Sequence, residues 1–194
     1  GALTHRLRGE RLAEMAALKE AGCVGVGDGG RPIANTRVLR RALEYAATFG
    51  LTVFLTPLDP ELGSGLVHEG SVATRLGLSG IPVAAETGVI ARDLELIRDI
   101  GVRVHFGRLS CARSVELVAR AQAEGLPVTA DVAVHHLYLT EIDLAGFDSR
   151  CHVRPPLRES RDRDTLRAGL ASGALGALCS DHQPHESDAK QAPL

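Results

Sequence analysis

The sequence predicts an α/β fold built on a parallel sheet. Segments with helical and strand-like apolar periodicity alternate along the chain with little filler between them. The five strand-like runs are apolar nearly throughout, as strands covered by helices are. Polar residues also gather just past the strand ends, at Asp28, Thr56 to Asp59, Arg108, His135-His136 and Asp181 to His185. That is the edge on which parallel α/β folds build their sites.

Each element follows from local pattern. Glu10 to Ala21 carries Leu12, Met15, Ala16 and Leu18 at helical spacing, and Gly22 ends it. Cys23 to Val26 reads as a short strand, followed by the glycine-rich turn Gly27-Asp28-Gly29-Gly30. Asn35 is placed to cap a helix whose apolar stripe is Val38, Leu39, Ala42, Leu43 and Ala46, with Gly50 closing it. Leu51 to Leu55 is the second strand. Residues 57–81 read as a long irregular stretch, a length that usually has a functional origin. Pro82 opens a helix to about Asp99, and Val102 to Phe106 is the third strand. A helix over Ala112 to Glu124, a strand over Leu126 to Val132, a helix over Arg161 to Leu170 and a fifth strand over Leu175 to Cys179 complete the pattern.

Composition excludes several classes. With 194 residues, 44% of them apolar and 24% charged, the chain is globular rather than disordered. A net charge of -2 offers no basic excess to neutralise phosphates, and 3% aromatics offer no base-stacking platform, so no nucleic acid is expected as partner. No run approaches a membrane span and the polar, basic start is unlike a signal peptide. Cys23, Cys111, Cys151 and Cys179 are widely spaced, which suits reduced thiols in the cytoplasm.

Among local motifs, Ser180-Asp181-His182-Gln183-Pro184-His185 is the sharpest: a carboxylate at a strand end followed by imidazoles suits proton transfer or metal binding. His135 and His136, as neighbours on a strand, would point to opposite faces, so only one could enter a given site. His105 lies inside a strand, where a satisfied wall histidine is expected. His5, His68 and His152 carry no usable pattern. The turn at Gly27 lacks phosphate-loop spacing, and neither a G-x-S-x-G elbow nor zinc-finger spacing is present.

A longer set of segments carries a resemblance. Arg41-Ala42-Leu43-Glu44-Tyr45-Ala46, Asp59-Pro60-Glu61-Leu62, Arg75-Leu76-Gly77-Leu78, Leu109 to Leu117, His135-His136-Leu137, Pro155-Pro156-Leu157-Arg158 and Ser180 to His185 occur in family-like order and spacing. Together they resemble the dihydroorotases of the amidohydrolase superfamily over nearly the whole chain. The resemblance implies a zinc-dependent (β/α)8 barrel of TIM type that interconverts N-carbamoyl-L-aspartate and L-dihydroorotate in pyrimidine biosynthesis. Residues 1–194 would be a single barrel domain covering about the last five βα units, with the N-terminal strands, and the family's H-x-H pair on the first of them, absent from this chain.

The same resemblance marks departures. Where the family places metal ligands, this chain has Gly29, Thr56 and Arg108. Arg154 replaces an Asn found before the paired prolines in many members. Asp181 matches the catalytic Asp that accepts and donates the proton, which would make it a vestigial general acid/base, and His185 matches a histidine that contacts the substrate carboxylate. Arg154 joins His185 as a candidate substrate-binding residue. A guanidinium only donates hydrogen bonds and is always charged, so Arg108 cannot ligate zinc. Loss of zinc removes at most about 10 kcal/mol of nucleophile activation. Arg108, with Arg154, is expected to give Asp181 the positive charge that metal once gave it.

Three functions follow as expectations. The first is a pseudoenzyme without cofactor, of the non-catalytic subgroup that serves as structural partner of aspartate carbamoyltransferase in a hetero-oligomer; Arg108, Thr56 and the turn at Gly29 resemble that subgroup. The second is an active zinc dihydroorotase whose site is completed by missing residues or a rearranged set from Asp181, His182, His185 and His135 or His136. The third is a small-molecule sensor in which Asp181, His185 and Arg154 hold an acidic ligand.

Overall fold

A computed structural model gives the fold, describing residues 1–184, 186 and 188. Five parallel strands, β1 (Gly25–Gly27), β2 (Thr52–Leu55), β5 (Val104–Phe106), β6 (Val128–Ala133) and β7 (Ala177–Cys179), form one sheet in the order β1-β2-β5-β6-β7. Spatial order follows chain order, so each strand lies beside the next one of this sheet in sequence. The polar clusters that follow the strands therefore arrive at one edge.

In β1, β2, β5 and most of β6 one face carries the burial, while β7 is largely exposed. Val26, Val53, Val104, Phe106, Val128, Ala130 and Val132 point into the core, while Phe54, His105, Thr129 and Asp131 alternate with them on the opposite, open face. α2 (Thr36–Thr48), α4 (Ala84–Ile100), α5 (Ala112–Ala123) and α6 (Ser160–Ser172) cover the buried face, each packing against the next. Asn35 caps α2 as its position predicts, its Oδ1 accepting from the amides of Arg37 and Val38. Leu39 and Leu43 of the α2 stripe are fully buried, each contributing roughly 1.5–3 kcal/mol of transfer free energy. At Gly27 an added Cβ would lie 2.7 Å from the Phe54 carbonyl oxygen, so only glycine lets β1 pair this closely with β2.

Two predicted segments differ in the structure. The first helix is short, α1 (Met15–Glu20), because the residues before it bend back onto the N-terminal segment: Thr4 pairs with Leu12, and the Ala13 amide donates to the Leu3 carbonyl. Residues 57–81 are not irregular. They hold β3 (Val67–His68), α3 (Ser71–Leu76) and β4 (Gly80–Ile81), with β3 and β4 parallel in a sheet of their own. Two-residue strands are too short to display a period.

A buried polar network ties this excursion to the main sheet's helices. Glu86 of α4 accepts from the amide and hydroxyl of Ser110, and Arg158 donates to Ser110 Oγ (3.1 Å), the Ile81 carbonyl (2.8 Å) and His68 Nδ1 (3.0 Å). All four side chains are buried.

Candidate functional site

The edge at the C-terminal ends of the main strands carries two adjoining cavities. The larger, about 650 Å3, is lined by Gly29, Arg108, His135, Arg154, Asp181 and Gln183 among others. The smaller, about 280 Å3, shares Gly30, Arg108 and Arg154 with it and adds Thr56 and Arg31. The sequence-derived positions Gly29, Thr56, Arg108, Arg154 and Asp181 are thus brought together. His185 lies outside the described residues.

At the centre, the Arg108 guanidinium donates to Asp181 Oδ1 at 2.8 Å, the two side chains being 19% and 11% exposed. Gln183 Nε2 donates to the same oxygen at 2.8 Å. Arg108 and Asp181 both stand at positive φ, +59° and +47°, a region side-chain-bearing residues enter at a cost. For Arg108 the conformation is held from below: its amide donates to Asp131 Oδ1 at 2.6 Å, while Asp131 Oδ2 meets His105 Nε2 at 2.9 Å. The carboxylate accepts, so the proton of that pair sits on Nε2, and His105 Nδ1 meets Thr129 Oγ1 at 2.8 Å. His105 is the satisfied wall histidine its strand position predicts. Asp131 was not singled out by sequence; the signal was its alternation with Thr129 on the open face of β6.

Arg154 does not reach Asp181. Its guanidinium donates to the carbonyls of Gly63 and Gly65, both at 3.0 Å, bracing the start of the excursion. Of the two arginines expected to supply positive charge to Asp181, Arg108 does so by direct contact, while Arg154 lines the same cavity with its hydrogen bonds directed elsewhere.

His135 and His136 lie in a 3-10 turn over Val134–Leu137, not on a strand. Their rings are 4.5 Å apart, so they do not point to opposite faces as strand neighbours would, yet only His135 lines the larger cavity, in keeping with the expectation that one of the two enters the site. His135 faces the larger cavity and burial pushes its pKa down, with the Arg108 charge adding to the effect and Asp181 opposing it. His136 is buried, its Nε2 donating to the Pro156 carbonyl at 3.2 Å, and desolvation pushes it down to about 4. Asp28 is buried and spent on the N-terminal segment, accepting from the amide and hydroxyl of Thr4. Asp59 accepts from the Glu61 and Leu62 amides, and His182 is exposed. His68 belongs to the buried network and His152 lines the larger cavity.

A family model described as dihydro-orotase-like matches residues 2–114. The chain is 54% identical over 195 residues to the "Dihydroorotase-like protein" of Pseudomonas aeruginosa, covering 100% of this chain and 46% of that protein. It is 44% identical over 191 residues to the "Dihydroorotase" of Geobacter sp. (strain M21), covering 98% of this chain and 45% of that protein. The chain therefore spans about half the length of the curated relatives it matches. Among solved structures, the L-hydantoinase (dihydropyrimidinase) of Arthrobacter aurescens superposes with a TM-score of 0.76 at 24% identity, over 92% of this chain and 42% of the other. The Saccharomyces cerevisiae dihydroorotase in complex with 5-fluoroorotic acid gives 0.67 at 18% identity, over 92% and 50%. At these identities the structural likeness speaks for the fold: the sheet and its helices are part of a TIM-type barrel.

Proposed function

The chain belongs to the dihydroorotase-like family of the amidohydrolase superfamily, and from that premise we propose that it is the site-bearing part of a non-catalytic member. In this reading the protein acts in pyrimidine biosynthesis, in the cytoplasm, as a structural partner of aspartate carbamoyltransferase within a hetero-oligomer. Residues 1–194 contribute to one barrel domain.

The observation that carries the reading is the Arg108–Asp181 ion pair. Its guanidinium is a permanent cation seated on the carboxylate that catalysis would need free. The donor set at this edge does not fit zinc. Gly29 has no side chain, Thr56 offers a neutral hydroxyl, Arg108 repels a cation, and zinc sites are built from His, Cys and carboxylate ligands. Among the described residues no group of three such side chains could hold a metal ion. Without a metal, an Asp already neutralised by Arg108 and sharing its Oδ1 with Gln183 is a poor base for activating water.

A second reading is favoured by the 44% identity to a protein named dihydroorotase. It has an active zinc hydrolase whose ligands come from residues beyond the described ones, opening the cyclic amide of L-dihydroorotate. Metal analysis of the purified intact protein combined with a dihydroorotate hydrolysis assay separates the two. Substoichiometric zinc and no turnover above background are expected; one zinc per chain with turnover establishes the second reading. Co-elution with aspartate carbamoyltransferase is expected, and separate elution overturns the partner assignment. No helix among the described residues is long and apolar enough to cross a membrane.

A further inference from the structure

We propose that His68 is a proton-operated catch: neutral, it fastens residues 57–81 to the barrel through Arg158, and on protonation it loosens that hold. The device lies outside the strand-edge site and rests on the fold, not on the non-catalytic reading. Arg158 Nη1 stands 3.0 Å from His68 Nδ1 and 2.8 Å from the Ile81 carbonyl oxygen, with one hydrogen for each. A guanidinium is always charged and only donates, so Nδ1 must accept with its lone pair. That fixes His68 as the neutral imidazole carrying its proton on Nε2. A second proton would take the lone pair that Arg158 uses and set two cations 3.0 Å apart. Both side chains are buried, at 6% and 2% exposure, so solvent screens that repulsion little.

The surroundings set the direction. Burial comes first in holding the His68 pKa below its usual value, and the Arg158 charge adds to it. Asp162 of α6, Glu159 at the cap of that helix and the Ile81 carbonyl pull the other way without prevailing. Glu69, Arg113, Glu116 and Arg161 line a groove with His68, and Glu141 lines a small cavity with it. Arg113 and Glu116 pair with each other, which leaves Glu69 set against Arg161. Arg158 is not free to step aside, because its Nε donates to Ser110 Oγ, itself bonded to Glu86. The folded-state pKa of His68 lies below the unfolded value of about 6.5. The catch therefore contributes in full above that pH and is lost as the pH falls through the folded value. The effect reaches the strand edge, since Gly63 and Gly65, whose carbonyls hold Arg154, and Pro57 and Leu58 of the smaller cavity's wall belong to the same excursion. Protonating one buried imidazole thus loosens the wall of a cavity that it does not line.

Amide hydrogen exchange of the intact protein, compared at pH 7.5 and pH 5.5 after correction for intrinsic rates, tests the proposal. The opening constant of peptides within residues 57–81 should rise about three- to tenfold at the lower pH. His68→Gln keeps an acceptor oxygen for Arg158 but takes up no proton, so it should hold near wild-type protection at pH 7.5 and lose the rise. His68→Phe has no acceptor and should show the weaker protection at both pH values. The nitrogen NMR shifts of the His68 ring read its tautomer without any substitution, and a neutral ring protonated on Nε2 is expected at pH 7.5. A flat wild-type profile overturns the proposal, as does a rise that His68→Gln retains in full. A ring protonated on Nδ1 at pH 7.5 overturns it equally. The zinc and hydrolysis assays report on the non-catalytic reading alone, so the two ideas fail by different measurements.

Discussion

The Arg108–Asp181 pair is the most direct place to test the account of the strand edge. Two unit charges about 4 Å apart attract by about 4 kcal/mol at an effective dielectric of 20 and by about 1 kcal/mol in water. With the side chains 19% and 11% exposed, the pair lies between these limits, and a coupling of about 1–3 kcal/mol is expected. Gln183 donates to the same Asp181 oxygen and remains after Arg108 is removed, which holds the value to the lower part of that range. The perturbation is a double-mutant cycle of Arg108→Gln, Asp181→Asn and the two combined, read by urea denaturation of the intact protein. Each single substitution should lower stability, and the double should cost less than the sum by the coupling energy. A coupling below about 0.5 kcal/mol would refute the pair as the feature that organises this edge.

Three further outcomes follow from the same structure. Asp93 of α4 is buried beside Arg92, and burial outweighs that partner to push its carboxyl up from 3.8 to about 6. Its folded pKa lies above the unfolded one, so its favourable share of stability is whole below about pH 4 and lost as the pH rises to 6. Asp93→Asn should therefore leave stability at pH 4 nearly unchanged and raise it at pH 7 by up to about 3 kcal/mol, measured by denaturation at both pH values. Gly27→Ala should destabilise by about 1–3 kcal/mol in the same assay, because the new Cβ meets the Phe54 carbonyl oxygen at 2.7 Å. Cys111 is fully buried with its thiol pushed up to about 12 by desolvation and then by Glu86, so alkylation at pH 8 should spare it until the protein unfolds while the partly exposed Cys23 and Cys179 react.

The alternation of helices and strands was legible because long amphipathic stripes such as Leu39, Ala42, Leu43 and Ala46 display their period over several turns. The convergence of Arg108 and Asp181 followed from strand order, since residues past the ends of parallel strands share an edge. The excursion was hidden because β3 and β4 are two residues each and exist only through pairing with one another. The roles of Arg154 and Asp131 were hidden for a different reason. Their partners, the Gly63 and Gly65 carbonyls and the Arg108 amide, are main-chain groups that no residue letter announces. The 3-10 turn at His135-His136 is likewise a departure from strand geometry that the apolar run entering it does not signal.

The buried network of Glu86, Ser110, Arg158 and His68 also determines how the molecule comes apart. Lifting the excursion from the barrel would take His68 and the Ile81 carbonyl from the buried Arg158 guanidinium and leave one of its terminal nitrogens without a partner, an expense of about 1–3 kcal/mol. Residues 57–81 are therefore held to the barrel through Arg158 and are not expected to open as an independent flap. They belong to the same foldon as α4 and the start of α5, so their protected amides should exchange with solvent only at the rate of that larger unit.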